Sequence, residues 1–142
     1  MISGYKYEWR IKSEPYLIPP TIREVLTSLD NRIPISAEER GDLKLIFHEL
    51  LFNAVLHGNQ SDTDKNVHIR LAVGSRFICA SITDEGPGFN CKSCIEESEQ
   101  PESIDKESGR GMKLVMSLAD EVLYSANGKQ VTFIKRIGYK NG

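Results

Sequence analysis

Glu49 and Asn53 stand four positions apart in the stretch Leu45 to Leu56, where His48 is the other polar residue. If that stretch is helical, the two project from one face, and His57 continues the line one turn later. A helix apolar on nearly every side is heavily buried, and an unpaired charge there costs several kcal/mol, so Glu49 needs a cation, a ligand, water or a compensating side chain. The carbonyl oxygen of Asn53 suits a hard cation such as Mg²⁺, and Glu49 could accept a proton or position a water. Equally, Asn53 could satisfy a loop backbone and Glu49 could pair with a lysine. The helix alone leaves both readings open. His48-Glu49 does not begin a zincin motif, because Phe52 occupies the position of the second histidine.

Two glycine clusters carry further chemistry. Asp84-Glu85-Gly86-Pro87-Gly88-Phe89 follows an apolar run, where glycines let the backbone turn tightly and approach a ligand. A carboxylate only accepts hydrogen bonds, so Asp84 could hold the exocyclic amino group of adenine and would repel the carbonyl that guanine presents there. An ordinary turn is the plainer alternative. Gly109-Arg110-Gly111 precedes the helically spaced set Met112, Val115, Met116, Leu118 and Ala119. If it opens that helix, its N–H groups and the positive end of the dipole could cradle phosphates, aided by Arg110, Lys106 and Lys113. The sequence contains neither G-x-x-x-x-G-K-[ST] nor H-R-D, and Gly86-x-Gly88 has no third glycine in the Rossmann position.

The elements that must position these residues follow from periodicity. Tyr5 to Lys12 alternates as a strand with one wet face. Ile22, Val25, Leu26 and Leu29 predict a helix from about Pro20 to Asn31, and Ser36-x-x-Glu39 predicts a capping box opening a second helix that runs to His57 and stops at Gly58. Val67 to Val73 and Phe77 to Thr83 read as a hairpin across Gly74-Ser75. Asn90 to Ser108 loses periodicity, carries many acidic residues and reads as a long loop, a candidate lid. A third helix after Gly111 ends near Asp120. Strands Val122 to Ala126 and Val131 to Ile137 then flank Asn127-Gly128, a pair that tolerates positive φ. The fold class expected is α+β: a single-domain, two-layer α/β sandwich, its mixed, mostly antiparallel sheet of about five strands covered on one face by three helices.

Composition narrows the function. A chain of 142 residues with 39% hydrophobic content suits one domain, and a net charge of −2 supplies no field for nucleic acid. No apolar run approaches the roughly 18 to 20 residues of a membrane helix, and the start lacks a signal-peptide core, so a cytoplasmic location is expected. Cys79 stands alone, and Cys91 and Cys94 form a single C-x-x-C without the second ligand pair a zinc ribbon needs.

Taken together, Glu49-x-x-x-Asn53, Asp84-x-Gly86-x-Gly88-Phe89 and Gly109-Arg110-Gly111 resemble the GHKL (Bergerat-fold) ATPase superfamily in order and spacing. Within it, the run His48 to Asn59 resembles the anti-sigma-factor serine/threonine kinases of bacterial partner-switching systems. The resemblance implies that ATP and Mg²⁺ bind, with Glu49 as catalytic base and Asn53 as metal ligand. Around the nucleotide it implies His57, Asp84, Gly86, Gly88 and Phe89, and on the third helix Gly109, Arg110, Gly111 and Met112. It further implies a homodimer, a sigma factor and an anti-sigma-factor antagonist of the STAS type as partners. A non-catalytic ATP-binding switch module and a stand-alone histidine-kinase-type ATPase domain are the alternatives. Lys129 follows Gly128, where family members often carry Thr.

Overall fold

The computed structural model describes residues 5–87 and 106–138. Strand β1 (Tyr5–Lys12) is followed by a short 3-10 turn (Pro15–Leu17) and helix α1 (Ile18–Asp30). Helix α2 (Ala37–Phe52) continues directly into a π-helical turn, Asn53–Gly58. The hairpin β2 (Asn66–Val73) and β3 (Phe77–Thr83), helix α3 (Lys106–Leu118), and the strands β4 (Glu121–Ser125) and β5 (Gln130–Arg136) complete the order.

The strands form one sheet in the order β1-β2-β3-β5-β4. Every pairing among the described strands is antiparallel, so the sheet is not mixed as expected. The reason lies in the β5 hairpin: β4 forms the edge, and β5 turns back between β4 and β3. Asn127 and Gly128 supply that turn with φ of 57° and 84°, the left-handed conformations their residue types tolerate.

Alternation in the strands matches burial. Ile69 of β2, Ile82 of β3 and Phe133 of β5 are buried, and they meet the helices on one face of the sheet. Phe47 of α2 packs edge to face on Phe133, with ring centroids 5.3 Å apart. Burying such a side chain contributes about 1.5–3 kcal/mol, which is why this face is the core. Lys135 also points to the core face, where its Nζ donates to the Leu118 carbonyl at 2.8 Å and pairs with Asp42 at 3.4 Å. One side chain thereby ties the end of α3 to α2 and β5.

Two helix starts differ from expectation. Helix α1 begins at Ile18, so Pro19 and Pro20 lie in its first turn, where no N–H is demanded of them. Helix α2 starts as expected, with Ser36 Oγ accepting from the Glu39 N–H at 3.0 Å and Glu39 accepting from the Ser36 N–H at 2.8 Å. It is less enclosed than its composition suggests, since Leu45 is 47% exposed. Helix α3 begins at Lys106, earlier than expected, so residues 106–108 of the anticipated lid are helical. The rest of that lid, with Gly88, Phe89, Cys91 and Cys94, lies outside the described residues.

Candidate functional site

The sequence motifs converge on the second half of α2 and the π turn that follows it. A Cβ on Gly111 of α3 would overlap the Glu49 carboxylate, so helix and carboxylate are in contact because residue 111 has no side chain. One turn further along, Asn53 Nδ2 donates to the sulfur of Met112 at 3.7 Å. That contact occupies the donor end of the amide and leaves the carbonyl end as the one suited to a hard cation. At the end of the π turn, a Cβ on Gly58 would overlap the Asp84 carboxylate, and one on Gly86 would overlap the Gly58 carbonyl oxygen. Both glycines are needed for the helix end and the strand end to come this close.

Asp84 is the turning point after β3. Its N–H donates to the Lys129 carbonyl at 2.9 Å, and its Oδ1 accepts from the Gly86 N–H at 2.8 Å, an Asx turn. Burial raises its carboxyl above the ordinary aspartate range, while the Gly86 N–H and the charges of Lys129 and Lys65 act the other way. A half-buried carboxylate against bare glycine backbone has a fixed direction, as a hydrogen-bond acceptor for a ligand's amino group requires. Lys129 therefore bears on Asp84 through both its carbonyl and its charge.

Two expectations about the site are corrected. The single line Glu49, Asn53, His57 assumed α-helical spacing throughout, but Asn53–Gly58 is π-helical. There Asn59 N–H reaches the Ala54 carbonyl five residues back, at 2.9 Å, and the four-residue repeat ends. His57 is exposed and its ring meets Phe52, with centroids 6.4 Å apart. Secondly, Gly109 to Gly111 occupy the fourth to sixth positions of α3 and do not open it. N–H groups past the first turn are taken up by the helix's own ladder, so at position 111 the glycine serves close approach.

Sequence reasoning missed Asn59. Its side chain is wholly buried and joins three elements. Nδ2 donates to Ser13 Oγ at 2.7 Å and to the Asn66 carbonyl at 3.0 Å, while Oδ1 accepts from the Glu85 N–H at 2.7 Å. Glu85 returns the connection by accepting from the Asn66 N–H at 2.6 Å. An asparagine after a helix-stopping glycine looks like loop; only its polar neighbours in space reveal a fully used amide. Gly58 was readable as a helix stop, but its contact with Asp84 was not.

Among the described residues no cluster of His, Cys, Asp and Glu could hold a metal, and no helix is long and apolar enough to cross a membrane. Residues 11–135 match the family model described as "Histidine kinase-like ATPase domain". The chain is 28% identical over 127 residues to "Serine-protein kinase RsbW" of Oceanobacillus iheyensis, covering 85% of this chain and 80% of the relative. It is also 28% identical to the protein of that name from Bacillus subtilis, over 95% of this chain and 86% of the relative. Against "Anti-sigma F factor" of Bacillus velezensis it is 25% identical, over 80% of this chain and 78% of the relative. The crystal structure of the RsbU and RsbW domains of a Mycobacterium tuberculosis protein shares the fold, with a TM-score of 0.57 at 14% identity, over 94% of this chain and 31% of that one. With the family model spanning most of its length, the chain belongs to the histidine kinase-like ATPase domain family.

Proposed function

We propose that this chain is an anti-sigma-factor protein kinase that uses ATP·Mg²⁺ to phosphorylate a serine or threonine of an antagonist protein. The observation that carries the reading is the convergence along α2: Glu49 on Gly111, Asn53 on Met112 and Gly58 on Asp84. Relatives named serine-protein kinase and anti-sigma F factor support it. The residues fit the ligand in a specific way. Asp84 would accept from the adenine amino group beside the bare backbone of Gly58 and Gly86, and Asn53 would offer its carbonyl oxygen to Mg²⁺. Bound there, the metal would neutralise charge on the phosphates.

Phosphates fall to the N-terminal part of α3, whose dipole is positive at that end. Glu49, next to that helix, takes the proton of the attacking hydroxyl as its oxygen bonds to the γ-phosphorus and ADP departs. The reading makes the chain a homodimer that holds a sigma factor, with a STAS-type antagonist as phosphate acceptor, all in the cytoplasm where sigma factors act.

Incubation with labelled ATP·Mg²⁺ and the antagonist domains encoded beside its gene tests the proposal. Label on a serine or threonine of one antagonist is the expected result. Nucleotide-dependent capture of that antagonist without transfer would replace the kinase with a switch module.

A further inference from the structure

Asn59 has no counterpart in the three motifs, yet among the described residues it is a fully buried side chain with three hydrogen bonds, one of them to the residue next to Asp84. Both its donors and its acceptor are used: Ser13 Oγ at the end of β1, the Asn66 carbonyl at the start of β2, and the Glu85 N–H just after β3. Glu85 in turn accepts from the Asn66 N–H, so Asn66 is held by both backbone groups, one through each side chain. Ser13 is itself fixed, its hydroxyl donating to the Lys65 carbonyl at 2.9 Å. The Lys129 carbonyl receives the Asp84 N–H from the opposite side.

The consequence concerns direction. Asp84 and Gly86 lie on either side of the residue whose N–H Asn59 holds, and Gly86 rests on the Gly58 carbonyl, one residue before Asn59. Backbone and side chain of consecutive residues, Gly58 and Asn59, thus clamp one turn. A carboxylate that distinguishes an amino group from a carbonyl must be held in place, or it can swing to accept from some other donor on the wrong base.

We propose that Asn59 is a positioning residue for base recognition, setting through Glu85 the direction in which Asp84 meets the purine edge. The inference rests on Asp84 as the adenine reader. Ser13, Asn66 and Glu85 complete the clamp, so selectivity for the base is set partly from β1 and β2, elements that carry none of the nucleotide motifs.

Calorimetric titration of the full chain with ATP·Mg²⁺ and with ITP·Mg²⁺, which carries a carbonyl in place of the amino group, tests it. Wild type should prefer ATP, and Asn59→Asp should shrink that preference about tenfold, the worth of one well-made hydrogen bond. The aspartate keeps an acceptor for the Glu85 N–H but opposes the Asn66 carbonyl with a second acceptor. Should Asn59→Asp fail to fold, Glu85→Ala leaves the residue-85 N–H on Asn59 but removes the carboxylate's bond to the Asn66 N–H, so it loosens the same turn from its exposed side and should shrink the preference by a smaller factor, and Glu85→Gln, which retains an acceptor for Asn66, should restore it. A merely structural role would weaken ATP and ITP together and leave their ratio unchanged, which overturns the proposal. A wild type that binds both equally removes Asp84 as the reader and the proposal with it. A wild type that prefers ATP, with variants that prefer it as strongly, removes Asn59 alone.

Discussion

The Glu49 carboxylate of α2 lies against Gly111 of α3, in the space a side chain at position 111 would take. The group assigned to proton transfer and the helix assigned to the phosphates are thus in direct contact, and a single methyl group would part them.

Gly111→Ala therefore separates stability from activity. The atom a Cβ meets first is the end of a flexible side chain, so Glu49 can move aside at little cost, and alanine favours a helix by up to about 1 kcal/mol over glycine. Thermal unfolding should show a Tm equal to or above wild type. Transfer of label to the antagonist should fall at least tenfold, and full activity would show that the position of Glu49 against α3 is immaterial.

Gly86→Ala should behave in the opposite way. Its Cβ would meet the Gly58 carbonyl oxygen, a backbone atom that cannot rotate aside. Overpacking of this kind costs about 1–3 kcal/mol. Urea denaturation should register that loss, and ATP binding should be lost with it; a variant that binds as wild type would show that the Gly58–Gly86 contact is not required.

Glu49→Gln and Asn53→Ala should differ although they share one helix. The glutamine keeps the shape and loses the base, so ATP should bind with transfer reduced by ~10²–10⁴. Asn53→Ala removes the carbonyl proposed for the metal and the amide that donates to Met112. Binding itself should weaken, most visibly as a higher Mg²⁺ requirement in the titration. Equal binding by both variants would remove Asn53 from the metal.

Asp84 predicts opposite pH trends for stability and binding. Its carboxyl is raised by burial, so the folded state favours the proton, and that contribution is complete below the ordinary aspartate pKa and lost as pH rises through the raised value. In the free protein Asp84→Asn, which retains an acceptor for the Gly86 N–H, should be more stable than wild type at neutral pH, with the gap closing in acid. Binding of ATP by wild type should instead weaken as pH falls through the same window. Melting curves without nucleotide that show no gap at pH 7 would mean the desolvation of Asp84 is already compensated.

Lys135 anchors the far end of α3. Its side chain is 10% exposed, and it serves both Asp42 and the Leu118 carbonyl. Lys135→Met should lower stability by about 2 kcal/mol, less than for a fully buried pair because Asp42 keeps some solvent. Chemical denaturation measures it, and a loss under about 0.5 kcal/mol would make the pair incidental.

Features that depend on neighbours along the chain were readable before any fold was known. Alternation in β1, β2 and β3, the Ser36–Glu39 capping box and the left-handed Asn127-Gly128 turn rest on short-range sterics and hydrogen bonding, and each is found where its pattern lies. The proximity of Glu49, Asn53 and Asp84 to the glycine clusters follows the spacing of the motif residues, although their roles are proposals. Tertiary structure decided the rest. The π turn at Asn53–Gly58, with Ala54 and Val55 buried, breaks the helical line beyond Asn53, and no residue type along it marks the break. The place of β5 between β3 and β4 depends on which surfaces could be buried together. Most of all, the role of Asn59 arises from Ser13, Asn66 and Glu85, residues 46, 7 and 26 positions away, which a buried amide can unite only after the chain has folded.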